Sequence, residues 1–375
     1  MSIGLLILGL VLFIGLVVVH ELGHFIMARR NGVEVEEFGI FFPPRLWSHK
    51  TKQGWKFSIN ALPLGGFVRL KGEHDADTGK GTYGAARLSA KVKIMLAGVA
   101  MNLIAAFVLL TALAWLGMPQ LVSNQFSVKN DTKTVRQEVL IGSVQPGSPA
   151  ARAGLKSGDQ LTGIGLTGSS LQSVDSANAL PTITKSFAGK RVHLVYIHKG
   201  QSNVVIVRLL SKETVAASQN TANPKGYLGI SPGDYTLTRS TWSAPLVAGG
   251  LIGKFTALTF HGLGSALAGL FSGNTAQASA QVTGPIGIFE ILKGGTLLGY
   301  QFVLMIVAVI SLSLAIVNVL PIPALDGGKL FLTLIARALR KELTEKVETL
   351  VYGLGYILLI GLTILIAIHD VHHYL

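Results

Sequence analysis

Apolar runs long enough to cross a bilayer constrain this chain more than any other feature. No charged residue occurs from Ser2 to Val19, and a membrane helix needs about 20 predominantly apolar residues. Four windows meet that length, at roughly 2–27, 94–117, 300–322 and 349–368. In hydrocarbon the backbone must satisfy its own hydrogen bonds, so each run is expected as a helix. Only 14% of the residues are charged, against roughly 25% in soluble domains. The intervening segment 117–240 differs, with scattered charges, Ser, Thr and Gly, and reads as a water-facing domain.

The four windows also predict an orientation. Lys and Arg collect in short cytoplasmic loops, and the loop 28–93 holds Arg29, Arg30, Arg45, Lys50, Lys52, Lys56, Arg69 and Lys71. Placing it in the cytoplasm puts the N-terminus and the segment 117–240 outside. The third helix then returns to the cytoplasm, where the basic linker 329–346 agrees, and the fourth leaves the C-terminus outside. The first run lacks a basic n-region and a small-residue cleavage site, so it is read as a retained helix. A further segment, 244–271, is long enough to span but carries Lys254, His261 and several glycines. It is expected as an interfacial or packed amphipathic helix, because a fifth span would move residues 320–330 away from the side of His20. The net charge of +13 is read first as a membrane feature, because Lys and Arg collect in cytoplasmic loops. The long outer segment carries many as well, where that rule has little force, and nothing resembles a nucleic-acid module. The absence of cysteine excludes disulfides and thiolate-bound metals.

At the end of the first run stands "VVVHELGHFIMARR", residues 17–30. His20 and His24 are four apart, so on a helix they share one face and can grip one ion. Glu21 lies beside them, free to act as a base. H-E-x-x-H on a helix is a zinc-hydrolase pattern. Ionisable side chains at membrane depth cost roughly 2.5–3.5 kcal/mol each, so they are rare and usually functional. A catalytic zinc takes three protein ligands and leaves one position open. Asp326, in "NVLPIPALDGGK" (318–329), is the only acidic residue between Val303 and Lys341. It lies at the depth of His20 in the orientation above. Pro321 and Pro323 prevent a regular helix there, while Gly327 and Gly328 free the backbone beyond.

With "HELGH" in a first membrane helix and "NVLPIPALDGG" in the penultimate one, the chain resembles the site-2 protease family of intramembrane zinc metalloproteases. More narrowly, it resembles the bacterial regulator of sigma-E protease branch. The resemblance implies that His20, His24 and Asp326 hold Zn2+, that Glu21 is the catalytic base and that Asn318 positions substrate. Two further stretches are similar to the family: "WKFSINALPLGGFVRLKGE" (55–73), like its membrane-associated β segment, and "TGPIGI" (283–288). Phe42, Pro43 and Val99 depart from its usual pattern, at positions bearing on substrate gating rather than on chemistry.

In the outer segment, Ser148 reads as an N-cap, Pro149 as the first residue of a short helix over 150–153, and Gly154 as its stop. A strand is expected from Gln160, and 191–210 alternates like two strands joined at Lys199–Gly200. "GYLGI" (226–230) places a glycine at a strand start. This looks like one PDZ domain, about 122–233, in the permuted order of that protease branch, a module that takes extended peptides and often their C-termini.

The expected fold is thus a polytopic α-helical membrane protein of about four transmembrane helices, with a membrane-associated β segment and one extracytoplasmic αβ PDZ domain. Its parts are helix 1 (1–28), the β segment (29–93), helix 2 (94–117), the PDZ domain (122–233), a membrane-associated connector (234–298), helix 3 (299–325), a cytoplasmic linker (326–348) and helix 4 (349–369). The implied partners are the bilayer, transmembrane substrates and peptide C-termini, and the implied location is the bacterial inner membrane. The implied targets are pre-trimmed anti-sigma factors or remnant signal peptides. A metal transporter would need polar residues along several helices, and the second and fourth are nearly bare. A silent PDZ-bearing scaffold would be favoured by loss of Glu21 or a ligand, and all are present. Two polar features stand apart. Asn102 is expected to make a packing hydrogen bond rather than to act in catalysis, and His369, His372 and His373 have metal-binding spacing at the outer C-terminus.

Overall fold

The computed structural model describes residues 3–221, 223–274, 284–341 and 343–374, without the side chains of residues 64, 270, 285, 369 and 372–374. The C-terminal histidine triplet and Thr283 of the TGPIGI stretch therefore lie outside the described side chains. Two compact units emerge, one formed by residues 1–114 and 243–375, the other by 115–242.

In the first unit, α1 (Ile3–Arg30) buries Leu16, His20, Gly23, His24 and Ala28 along one stripe. Their three- and four-residue spacing places them on one helical face. That face meets α2 (Leu88–Leu116). Close approach depends on small residues, as is usual where lipid gives no hydrophobic drive between helices. A Cβ added to Gly23 would lie 2.6 Å from the Ala97 carbonyl oxygen and 2.8 Å from Met101 Cγ.

Between these helices, β1 (Val35–Lys50) and β2 (Lys56–Leu70) fold against each other twice. Residues 35–40 face 66–70 on one side, with Val35 opposite Leu70 and Ile40 opposite Gly66. On the other side they face 56–59, with Ile40 opposite Ile59. Residues 56–60 face 45–50 in turn. The order across the sheet is 45–50, 56–60, 35–40, 66–70, which leaves 66–70 at an edge. Buried Glu37 pins the middle, its carboxylate accepting two bonds from Arg45 Nη2 at 2.9 and 3.0 Å.

The second unit holds a seven-stranded sheet. Its strands are β3 (Met118–Pro119), β4 (Lys133–Val144), β5 (Gln160–Leu166), β6 (Gln172–Ser173), β7 (Arg191–His198), β8 (Gln201–Arg208) and β9 (Ile230–Arg239), in the order β3-β9-β4-β5-β7-β8 with β6 on β5. Short helices α3 (Pro149–Arg152), α4 (Leu180–Ser186) and α5 (Lys212–Ser218) complete it. Val139, Ile141, Leu161, Ile164, Val192 and Leu194 form its core. The turn chemistry matches the sequence reading: the Ser148 hydroxyl accepts from the Ala151 amide at 3.1 Å, with Pro149 at the first helical position. Lys199 and Gly200 turn at positive φ between β7 and β8.

The first unit resumes with α6 (Ala244–Phe271), α7 (Pro285–Gly295), α8 (Tyr300–Val319), α9 (Asp326–Ala338) and α10 (Glu345–Tyr374). Five helices among the described residues are long and apolar enough to cross a membrane: α1, α2, α6, α8 and α10. That is one more than the four windows expected. The addition is α6, which the sequence reading took as an interfacial or packed amphipathic helix and which here has the length and composition of a span. Its glycines do not break the helix, and Ala244, Val247, Ala248 and Leu251 are buried. Residues 326–338, expected as the start of a linker, are helical because α9 begins at Asp326 itself.

Candidate metal centre

Three side chains converge where α1, α2 and the break after α8 meet. His20 Nε2 is 3.2 Å from His24 Nε2. Asp326 Oδ2 is 3.1 Å from both nitrogens. Zinc–nitrogen and zinc–oxygen bonds of about 2.0–2.1 Å at tetrahedral angles separate ligand atoms by about 3.3–3.4 Å. The triangle therefore has about the dimensions of one face of a zinc tetrahedron, and among the described residues no other group of three such side chains is found. Two imidazole nitrogens and one carboxylate also form the donor set that suits zinc.

The local sequence builds each corner. His20 and His24 are adjacent turns of one helix, both buried. His24 Nδ1 donates to the Ile94 carbonyl at 2.8 Å, which fixes the ring and leaves the Nε2 lone pair facing the triangle. Asp326 reaches it from a tightly folded break. Residues 320–325 leave the helix through Pro321 and Pro323, and Ala324 adopts φ 78°. A left-handed alanine costs roughly 1–2 kcal/mol, so the surroundings must enforce it. They do: a Cβ on Gly328 would lie 2.5 Å from the Ile322 carbonyl carbon and 2.9 Å from the Pro323 nitrogen. From α10, a Cβ on Gly355 would lie 2.6 Å from the Pro323 carbonyl. The glycines after the aspartate thus let α9 seat directly on the break.

Gly98 of α2 completes the cradle. A Cβ there would sit 2.6 Å from His20 Nε2 and Cε1, and nearer still to His24 Nε2. Only a residue without a side chain leaves that volume free beside the ligand atoms. The residues present therefore fit a bound zinc.

The triangle opens onto a cavity of about 950 Å³ whose lining includes Glu21, Phe42, Gly66, Asn318 and Tyr356. Glu21 and Asn318, chosen from the sequence, thus share one space with the three ligand candidates. The sheet edge 66–70 also lines it, and a Cβ on Gly66 would come within 3.2 Å of Glu21 Cγ. Asn102, expected to make a packing hydrogen bond, makes one from α2 to α1, and its partner is a histidine of the triangle: its Nδ2 lies 3.2 Å from His20 Nδ1. Its signal in the sequence was a lone amide eight residues after Ile94 and four after Gly98, one face of α2.

The profile of Peptidase family M50 matches residues 8–362. A protein of Clostridium perfringens that carries the name of a zinc metalloprotease is 31% identical over 379 residues, covering 98% of each chain. The zinc metalloprotease RasP of Shouchella clausii is 24% identical, covering 96% of this chain and 97% of that one. A protein of Enterococcus faecalis named as the protease Eep is 25% identical, covering 96% of each.

Proposed function

The chain belongs to peptidase family M50, the site-2 protease family, and on that premise we propose that it is an intramembrane endopeptidase that cuts single-span membrane proteins. Membership makes it a membrane zinc metalloprotease. In this reading His20, His24 and Asp326 hold the zinc, Glu21 is the general base and Asn318 positions the substrate. The observation that carries it is the triangle of ligand atoms at 3.1–3.2 Å opening onto a cavity that Glu21 and Asn318 also line.

Zinc held there supplies Lewis acidity, polarising a peptide carbonyl and acidifying a water. Glu21 takes the proton from the attacking water and returns it to the leaving amine. The surrounding apolar helices keep bulk water away and strengthen each charge interaction. A helical substrate hides its carbonyls in hydrogen bonds, so it must be extended before attack. Edge 66–70, beside Glu21, offers strand addition to the unwound stretch and replaces hydrogen bonds that hydrocarbon cannot.

The basic loop 28–93 faces the cytoplasm of a bacterial inner membrane, and the second unit lies outside. The adjacency of His20 and Asp326 supports α1 and α8 running in the same direction. Four crossings, with α6 packed beside them, satisfy this. The second unit acts as a PDZ-type filter for substrate ectodomains. Its β9 follows Gly229 at φ 78°, and the ladder of residues 230–234 runs to β4 alone among the described residues. That free edge can take an extended peptide. The substrates are membrane-anchored remnants, pre-trimmed anti-sigma factors or signal peptides.

The test is cleavage of a tagged single-span substrate by the protein in proteoliposomes. Activity that a zinc chelator abolishes and added zinc restores supports the proposal, whereas cleavage indifferent to the chelator refutes it.

A further inference from the structure

Both histidines of the triangle are approached from behind by the same face of α2. His24 Nδ1 is met by the Ile94 carbonyl, and His20 Nδ1 by the Asn102 amide, four residues beyond Gly98. The two supports differ in kind. A backbone carbonyl can only accept, so His24 must carry its proton on Nδ1. An amide can donate or accept, so the state of His20 depends on which way Asn102 turns.

Asn102 is 1% exposed. With Nδ2 toward the ring it would donate to Nδ1, and Oδ1 is then buried without any hydrogen-bond partner. In that arrangement the neutral ring carries its proton on Nε2, the atom 3.1 Å from Asp326 and 3.2 Å from His24 Nε2. A protonated Nε2 cannot bind a metal ion. A half-turn of the amide exchanges oxygen for nitrogen and costs no hydrogen bond on the far side, because Oδ1 makes none. Oδ1 then accepts from His20 Nδ1–H, and the Nε2 lone pair faces the triangle. The backbone of Asn102 is held independently, its carbonyl accepting from buried Ser311 Oγ at 2.8 Å, so the side chain turns on a fixed anchor.

We infer that Asn102 is a positioning residue for the metal centre, accepting the His20 Nδ1 proton through Oδ1 and thereby fixing the tautomer in which His20 can ligate. The inference rests on the reading of His20 as a zinc ligand. Outer partners of this kind typically contribute 10–100-fold in metal affinity. Asn102 then matters through an acceptor atom rather than through its bulk or its ability to donate.

The experiment measures zinc affinity by chelator competition on the purified full chain in detergent. It compares wild type, His20→Ala, Asn102→Leu, Asn102→Ala and Asn102→Asp, with cobalt-loaded absorption spectra as a second readout. Asn102→Leu and Asn102→Ala should each bind zinc about 10–100-fold more weakly and alter the cobalt spectrum. Asn102→Asp, which keeps an acceptor and loses the donor, should bind closer to wild type than to either. Equal affinity of wild type and Asn102→Leu overturns the inference, as does an Asn102→Asp variant no better than Asn102→Ala. Wild type and His20→Ala binding zinc equally well overturns the metal reading itself. Metal-free melting curves of the variants separate misfolding from loss of the acceptor, and Asn102→Ala carries the test should Asn102→Leu fail to fold.

Discussion

A single methyl group at Gly98 tests how closely α2 is fitted to the metal centre. The Cβ of Gly98→Ala would lie 2.6 Å from His20 Nε2 and Cε1, whereas unstrained carbon contacts sit at about 3.5–4.0 Å. Something must therefore yield by about 0.9 Å, and metal–ligand distances tolerate only about 0.2 Å. Retreat of α2 would stretch the His24 Nδ1 bond to Ile94 and the bond from Ser311 to Asn102. The metal-free protein can turn its rings aside, so the strain falls mainly on the loaded state. Overpacking costs about 1–3 kcal/mol, which corresponds to zinc binding weakened roughly 5- to 150-fold. Chelator competition on detergent-purified protein measures this, with metal-free melting as the control for folding. Wild-type zinc affinity in Gly98→Ala would refute the fitted-cradle argument.

Gly328→Ala would press on the Ile322 and Pro323 backbone and displace Asp326, so zinc content after dialysis should fall while α1 and α2 stay helical by circular dichroism. Replacing residues 58–68 with helix-forming residues should impair cleavage of a single-span substrate with zinc unchanged, and equal loss of both would count against strand addition. Burial raises the pKa of Glu37, but its bond from Ser58 and the charges of Arg45 and Arg69 outweigh this and hold it below the usual carboxylate range. A depressed folded value stabilises the sheet above the unfolded glutamate pKa of about 4.3 and is lost as pH falls through the folded value. The hydrogen-exchange protection factors of residues 35–40 should therefore fall with acid in wild type and lose that dependence in Glu37→Gln.

What could be read from the sequence depended on how local each feature is. His20 and His24 are legible because helical spacing alone places them on one face. Asp326 needed one more step, an argument about depth, which could be made because it stands alone in a long apolar stretch; the structure brings it beside both histidines. The role of Asn102 was hidden because an apolar helix does not announce which side meets the histidines. Only the contact with α1, set by Gly23 and Gly98, decides it. The sheet was half legible: Trp55, Phe57 and Ile59 alternate with polar residues as in a strand, but the double pairing of β1 and β2 depends on register between distant residues, which alternation does not encode. In 244–271 the helix was legible, but Lys254, His261 and the glycines argued against a span, and the burial of Ala244, Val247, Ala248 and Leu251 depends on neighbours that the segment itself does not encode.

The central claim is that Glu21 moves the proton at a zinc held by His20, His24 and Asp326. Its most direct test compares wild type with Glu21→Gln on a tagged single-span substrate in membranes, with zinc content measured on the same preparations. The account predicts cleavage by wild type, none by the variant, and equal zinc in both. Undiminished cleavage by Glu21→Gln would contradict it.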